Sequence, residues 1–179
     1  GINKLIKDRD YVTLQKMLEY WDNEMSTITN AILKFDTGNG IVDALLTEKQ
    51  KKATTINTSI TFNGAVPANS IIPTDLCVIF GNSVDNAIDA CEKLSPEKEK
   101  EISITCKYSR EFMFVKIINP VIKNIIIHNN TLPSTKTDKF SHGFGIYSLK
   151  QITKKYNGDL ALSCHDNMFC VEISIELLK

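Results

Sequence analysis

Phe80-Gly81-Asn82-Ser83-Val84-Asp85-Asn86-Ala87-Ile88-Asp89-Ala90 is the stretch that decides how this chain is read. It lies within a helical pattern that Pro73 opens and that runs to about Leu94. At about 100° per residue, Leu76, Phe80, Val84, Ala87, Ile88 and Cys91 fall on one arc, while Asp75, Asn82, Asn86 and Asp89 gather opposite. A solvated helix face normally carries Lys, Glu and Arg, which form helices better than Asn. Here the polar face holds only short carboxamides and carboxylates, with no Lys or Arg before Lys93. A solvent face that happens to be acidic and amide-rich is the plain alternative. The functional reading is the floor of a site. Asn82 and Asn86, spaced i and i+4, point at the same ligand, and an asparagine oxygen can ligate magnesium while phosphates and water complete the shell.

Further along, Ser141-His142-Gly143-Phe144-Gly145 immediately precedes a helix with apolar residues at Ile146, Leu149 and Ile152. Glycines at a helix start let backbone N–H groups approach phosphate oxygens, and the helix dipole favours an anion there. The segment is not a dinucleotide fingerprint, because no strand leads into it and Ser148 stands at the third glycine position. No Gly-Lys-Ser/Thr comes after it, so it is not a P-loop either. Taken alone, it reads more readily as a flexible hinge between the lid and the helix.

Working outward, the periodicities give helices, a strand, a helix, two strands, a long loop, a helix and two closing strands. Residues 2 to 34 carry apolar residues at helical spacing, from Ile2, Leu5 and Ile6 to Trp21, Met25, Ile28 and Ile32. That stripe needs a second surface, and a helix from a dimer mate is the natural one. Asp36-Thr37-Gly38-Asn39-Gly40 breaks the pattern. A helix over 41–53 comes next, with Lys49, Lys51 and Lys52 expected to face outward. Strands are expected over 56–62, 101–108, 112–118, 159–164 and 168–177, and a helix over 144–156 ending at Asn157-Gly158. About twenty residues after Asn119-Pro120 are rich in Asn, Thr, Ser and Lys, a length usual for lids or disordered segments. Hairpin-linked strands with interspersed helices predict a mixed sheet covered by helices on one face, an α/β two-layer sandwich. The boundaries are residues 1–36 for a partial helical dimerisation segment and 37–179 for the α/β domain.

Bulk composition narrows the partners. Lys+Arg and Asp+Glu are 21 each in 179 residues, so no net charge draws the chain toward nucleic acid or an anionic membrane. Hydrophobic content of 42% argues against wholesale disorder. The cysteines at 77, 91, 106, 164 and 170 form no CxxC pair and sit in or beside apolar runs, so they read as reduced thiols. The chain opens inside a helical pattern and is expected to be a piece of a longer protein, with Gly1 a cloning remnant.

Together these features resemble the GHKL ATPase superfamily, whose ATP-binding (Bergerat) fold is that of histidine kinase catalytic domains. Residues 80–90 look like its asparagine box. Ser134-Thr135-Lys136 with His142-Gly143-Phe144-Gly145-Ile146 looks like its lid and second glycine box. Thr37-Gly38-Asn39 through Asp43, Leu46, Lys49 and Ala53 resembles sensor histidine kinases of the quorum-sensing, accessory-gene-regulator type. The resemblance implies ATP and Mg2+ as ligands, with Asn86 on the metal. It sets Asn82 where hydrolysing members carry a water-activating glutamate. An amide cannot take that proton, which favours phosphoryl transfer over hydrolysis. Lys136 matches a lid lysine that reaches a phosphate, and Gly143 and Gly145 match the box that closes the lid. His142 and Phe144 lie in the same contact zone. Asn119 stands where the family has an aspartate that accepts from the adenine amino group, and the Asp-x-Gly-x-Gly box is otherwise missing. An asparagine oxygen can accept the same bond without charge.

None of the histidines at 128, 142 and 165 lies on the N-terminal helical segment, so the resemblance places the phosphoacceptor upstream of residue 1. It further implies a homodimer through the N-terminal helices, a response regulator as the receiving partner, and a cytoplasmic position in a membrane-anchored receptor. Two rival readings stand beside it. A hydrolytic ATPase would betray itself by steady-state phosphate release, which Asn82 argues against. A degenerate, nucleotide-free interaction module draws support from Asn119 and the missing glycines.

Overall fold

The structure is a computed structural model that describes residues 34–127 and 143–177; of Gly143 and Phe144 it describes the backbone alone. The chain divides into two compact units, 1–34 and 35–179. Residues 1–33 of the expected dimerisation segment lie outside the described residues.

Alternation builds the sheet. Strands β1 (Thr58–Gly64), β2 (Lys100–Tyr108), β3 (Phe112–Pro120), β4 (Asp159–His165) and β5 (Met168–Glu176) pair in the order β1-β2-β3-β5-β4. β1 runs parallel to β2, and every other pairing is antiparallel. The inward column of β3 is Met113, Val115, Ile117 and Asn119, paired in register with Ile175, Ile173, Val171 and Phe169 of β5. Ile102, Ile104 and Cys106 continue the same face on β2. Burial pushes the Cys106 thiol up to about 12, so it stays a neutral hydrophobe. Outward, Phe112 and Phe114 are exposed and Lys116 pairs with Glu172 at 2.9 Å. One face is thus covered and the other solvated, as a mixed sheet with hairpins allows.

The cover is helical. Helix α1 (Gly40–Thr54) is capped by Asn39, whose side-chain oxygen accepts from the N–H groups of Ile41 and Val42. Its Gln50 closes part of the free edge of β1. The Gln50 amide donates to the Thr58 carbonyl at 3.2 Å, and its oxygen accepts from the Ile60 N–H at 2.7 Å. Helix α2 (Pro73–Leu76) passes through a π turn (Cys77–Gly81) into α3 (Asn82–Glu92) with helical dihedrals throughout the junctions. Helix α4 (Gly143–Lys155) ends on Asn157 in the left-handed region at φ 47°, with the Gly158 N–H donating to the Thr153 carbonyl at 2.8 Å.

The two-layer sandwich expected from the sequence is the one found. Two expectations need correction. Asp75 does not share a face with Asn82 and Asn86. The π turn inserts one residue, which rotates α2 by roughly 100° relative to α3. Asp75 is instead buried and accepts from Lys155 Nζ at 2.6 Å and from the Tyr156 hydroxyl at 2.7 Å. That hydrogen bond to Asp75 holds the Lys155 ammonium above its usual range. Nor does Lys49 face outward: it reaches Asp85 of α3 at 2.9 Å, and its side chain is only 16% exposed.

Candidate functional site

Helix α3 is the element on which the site rests, because it packs against β3 below it, α1 on one flank and α4 on the other. Its polar arc divides between those flanks. Asp85 and Asp89 face α1, where Lys49 and Lys52 meet them at 2.9 and 3.6 Å. These lysines supply the counter-charge that the helix itself lacks. Asn82 and Asn86 are both half-buried. Asn86 meets α4: a Cβ placed on Gly145 would lie 3.1 Å from Asn86 Nδ2 and 3.4 Å from its Oδ1. The absence of a side chain at 145 is what lets α4 approach this amide.

Asn86 Nδ2 is buried and has no hydrogen-bond partner among the described residues, and the same holds for the hydroxyl of Ser83. A buried donor left unpaired costs about 1–3 kcal/mol. Two such groups one turn apart on one helix are a place where a ligand recovers that cost.

Asn119 supplies a third polar group. It is 2% exposed and is the polar end of an otherwise apolar inward column on β3. Its Nδ2 donates to the Pro120 carbonyl at 3.0 Å. With the amide nitrogen so engaged, the carbonyl oxygen remains as the acceptor of this side chain.

Of the residues singled out in the sequence, the structure brings Asn86 and Gly145 into contact, and sets Asn119 on the sheet face that α3 covers. The backbone of Gly143 and Phe144 forms the first turn of α4. Lys136 and His142 lie outside the described residues, as do His128 and most of the expected lid. Sequence reasoning does not single out Ser83 as a site residue; its one signal is a hydroxyl at the seam between the polar and apolar arcs. His165 ends β4 beside the Asp166-Asn167 turn, whose two residues take φ of 52° and 58°. A concavity of about 440 Å³ also exists, lined by Lys107, Phe114, Lys116, Asp159 and Glu172 among others. It lies on the solvated face, where Lys116 and Glu172 already satisfy each other. The unpaired buried donors lie on α3, and the site is placed there.

Comparison with known proteins bears on this arrangement. A family model described as the GHKL domain matches residues 71–176. No curated protein matches the chain. Among solved structures, the nucleotide-free catalytic domain of histidine kinase ThkA superposes with a TM-score of 0.61 at 16% identity, covering 78% of this chain and 93% of that one. The Acinetobacter baumannii histidine kinase AdeS gives 0.57 at 15% identity, over 100% and 93%. Full-length ShkA in complex with AMPPNP gives 0.61 at 11% identity, over 78% and 30%. At such identities the likeness is one of fold.

Proposed function

The chain belongs to the GHKL domain family, and from that premise we propose that it is the ATP- and magnesium-binding catalytic domain of a two-component sensor histidine kinase, passing the γ-phosphoryl group to a histidine upstream of residue 1. The single observation that carries this reading is the meeting of Asn86 with Gly145, which joins two segments far apart in sequence around an unpaired buried amide.

The residues present fit the ligands. When bound, magnesium would be held through Asn86 and would neutralise phosphate charge. Among the described residues no three His, Cys, Asp or Glu side chains converge as a metal site. A carboxamide with phosphate and water oxygens suits magnesium in such a place, and Asn86 is the residue to hold it. Asn82, on the same helix face, is neutral and cannot serve as general base, so water is not activated there. Asn119 offers its oxygen to the adenine amino group. The first turn of α4 at Gly143, Phe144 and Gly145 directs N–H groups and the positive end of its dipole at anionic oxygens. Lys136 and His142 complete the set as phosphate contacts in the lid. In the same reading residues 1–36 are part of a dimerisation hairpin, a response regulator receives the phosphoryl group, and the parent is a membrane-anchored receptor of the accessory-gene-regulator type.

Calorimetric titration with a non-hydrolysable ATP analogue tests the proposal. Saturable binding that requires magnesium is the expected result. Absence of binding at millimolar nucleotide, in a sample shown to be folded, would overturn it in favour of a nucleotide-free interaction module.

Gly145→Ala tests the contact itself. Its Cβ would press on the Asn86 amide at 3.1 Å, a distance that side chain relieves by shifting a few tenths of an ångström. Affinity for the analogue should fall by several-fold, about 1 kcal/mol, while the melting temperature changes by only a few degrees. Unchanged affinity would mean that the amide position is not critical to binding.

A further inference from the structure

Ser83 is 1% exposed, and its hydroxyl has no hydrogen-bond partner among the described residues. A serine inside a helix usually returns its hydroxyl to a carbonyl one turn back. Here the turn before it is the π turn Cys77–Gly81, whose wider ring displaces those carbonyls by one residue. The hydroxyl is therefore buried without its ordinary local acceptor.

Its place on α3 says what it faces. Ser83 lies roughly 60° around the helix from Asn86, toward the arc of Phe80 and Ala87 that meets the sheet. Phe80 and Ala87 are themselves buried. Helix α3 packs on β3, and the inward column of β3 ends in Asn119, also almost fully buried. Asn86 belongs to the α4 side, where an anion would be met by the helix N-terminus. Ser83 lies toward the sheet side of the helix, and Asn119 lies on the sheet face that the helix covers.

We propose that Ser83 is a base-binding residue: its hydroxyl, together with the Asn119 amide, forms a neutral polar pair that hydrogen-bonds the edge of the purine ring. This rests on the nucleotide reading above and assigns to that site a residue and a division of labour. Two uncharged groups, each able to accept a hydrogen bond, take over a contact for which a single carboxylate would otherwise serve. Ser83 is then a determinant of which base is held, distinct from the residues that hold phosphate.

The test compares the full chain with its Ser83→Ala variant by calorimetry, using the non-hydrolysable ATP analogue with magnesium, then tripolyphosphate with magnesium, and by thermal melting. Alanine is smaller and forms helices better, so the variant should fold and melt at or above the wild-type temperature. Affinity for the analogue should fall by roughly five- to tenfold, the range of one neutral hydrogen bond. Tripolyphosphate, which has no base, should bind both proteins equally. Equal affinity of both proteins for the analogue would overturn the proposal while leaving the nucleotide reading intact. So would an equal loss with tripolyphosphate, which would move Ser83 to the phosphates. So too would a lowered melting temperature with unchanged binding, the mark of a hydroxyl satisfied inside the core. If the wild type binds neither ligand, the nucleotide reading itself fails and this assignment with it.

Discussion

Asn86→Ala should abolish measurable magnesium-dependent nucleotide binding while leaving the protein as stable as the wild type, or more stable. The two halves of that expectation have separate physical causes. Removing a metal-ligating oxygen should cost at least as much as removing a group that merely supports a ligand, for which losses of roughly 10- to 100-fold are usual. A drop on the order of 100-fold or more is therefore expected, measured by the same calorimetric titration. Stability should move the other way. Asn86 Nδ2 is buried with no partner among the described residues, so truncation removes an unpaired donor and breaks no hydrogen bond to that atom. Alanine is also the better helix former, by up to about 0.7 kcal/mol. A residue that weakens the folded state and is kept for its ligand gives this signature. A variant that melts lower and binds as before would reverse the assignment and make Asn86 a packing residue.

How much of the molecule is legible in its sequence depends on whether the information is local. The alternation of Ile102, Ile104 and Cys106, and of Met113, Val115 and Ile117, marks the inward faces of β2 and β3 correctly, because period-2 burial is written in the strand itself. The arc of Val84, Ala87, Ile88 and Cys91 is legible for the same reason. The illegible features depend on partners distant in sequence. Nothing in Cys77-Val78-Ile79-Phe80-Gly81 announces a π turn, since five such residues suit either helix. That one extra residue moves Asp75 off the asparagine face and into a buried cluster with Lys155 and Tyr156. Lys49 looks like a solvated lysine because its partner, Asp85, stands on another helix. The placement of β5 between β3 and β4 comes from long-range pairing that no window of sequence contains. Of the site, Asn86, Asn119 and the glycines are visible as residue types in a pattern. Ser83 is not, because a hydroxyl becomes informative only when its lack of an acceptor is known.

The second large effect is on the fold, at Gly158. The sequence pair Asn157-Gly158 suggests an ordinary helix stop, in which the glycine would take the left-handed conformation. The structure divides the task differently. Asn157 takes the positive φ, at 47°, and Gly158 is required for another reason. A Cβ on Gly158 would lie 1.8 Å from the Ser174 carbonyl oxygen and within 2.8 Å of further backbone atoms of β5. No rotamer change relieves a collision with backbone, so the α4–β4 connection must lift away from β5. Gly158→Ala should cost about 3–4 kcal/mol, near the upper end for a single substitution, and lower the melting temperature by roughly 10 °C. Asn157→Gly is the contrasting variant. It keeps the left-handed turn and loses only the exposed hydrogen bond from Asn157 Nδ2 to Glu176 at 2.9 Å. It should therefore change stability by less than about 1 kcal/mol. If both variants proved equally mild in thermal melts, the close approach at Gly158 would not be a packing requirement. If Gly158→Ala alone is severe, nucleotide affinity should fall with it. Helix α4 carries Gly145 to Asn86 from one end and is pinned to β5 at the other, so loosening that anchor loosens the site.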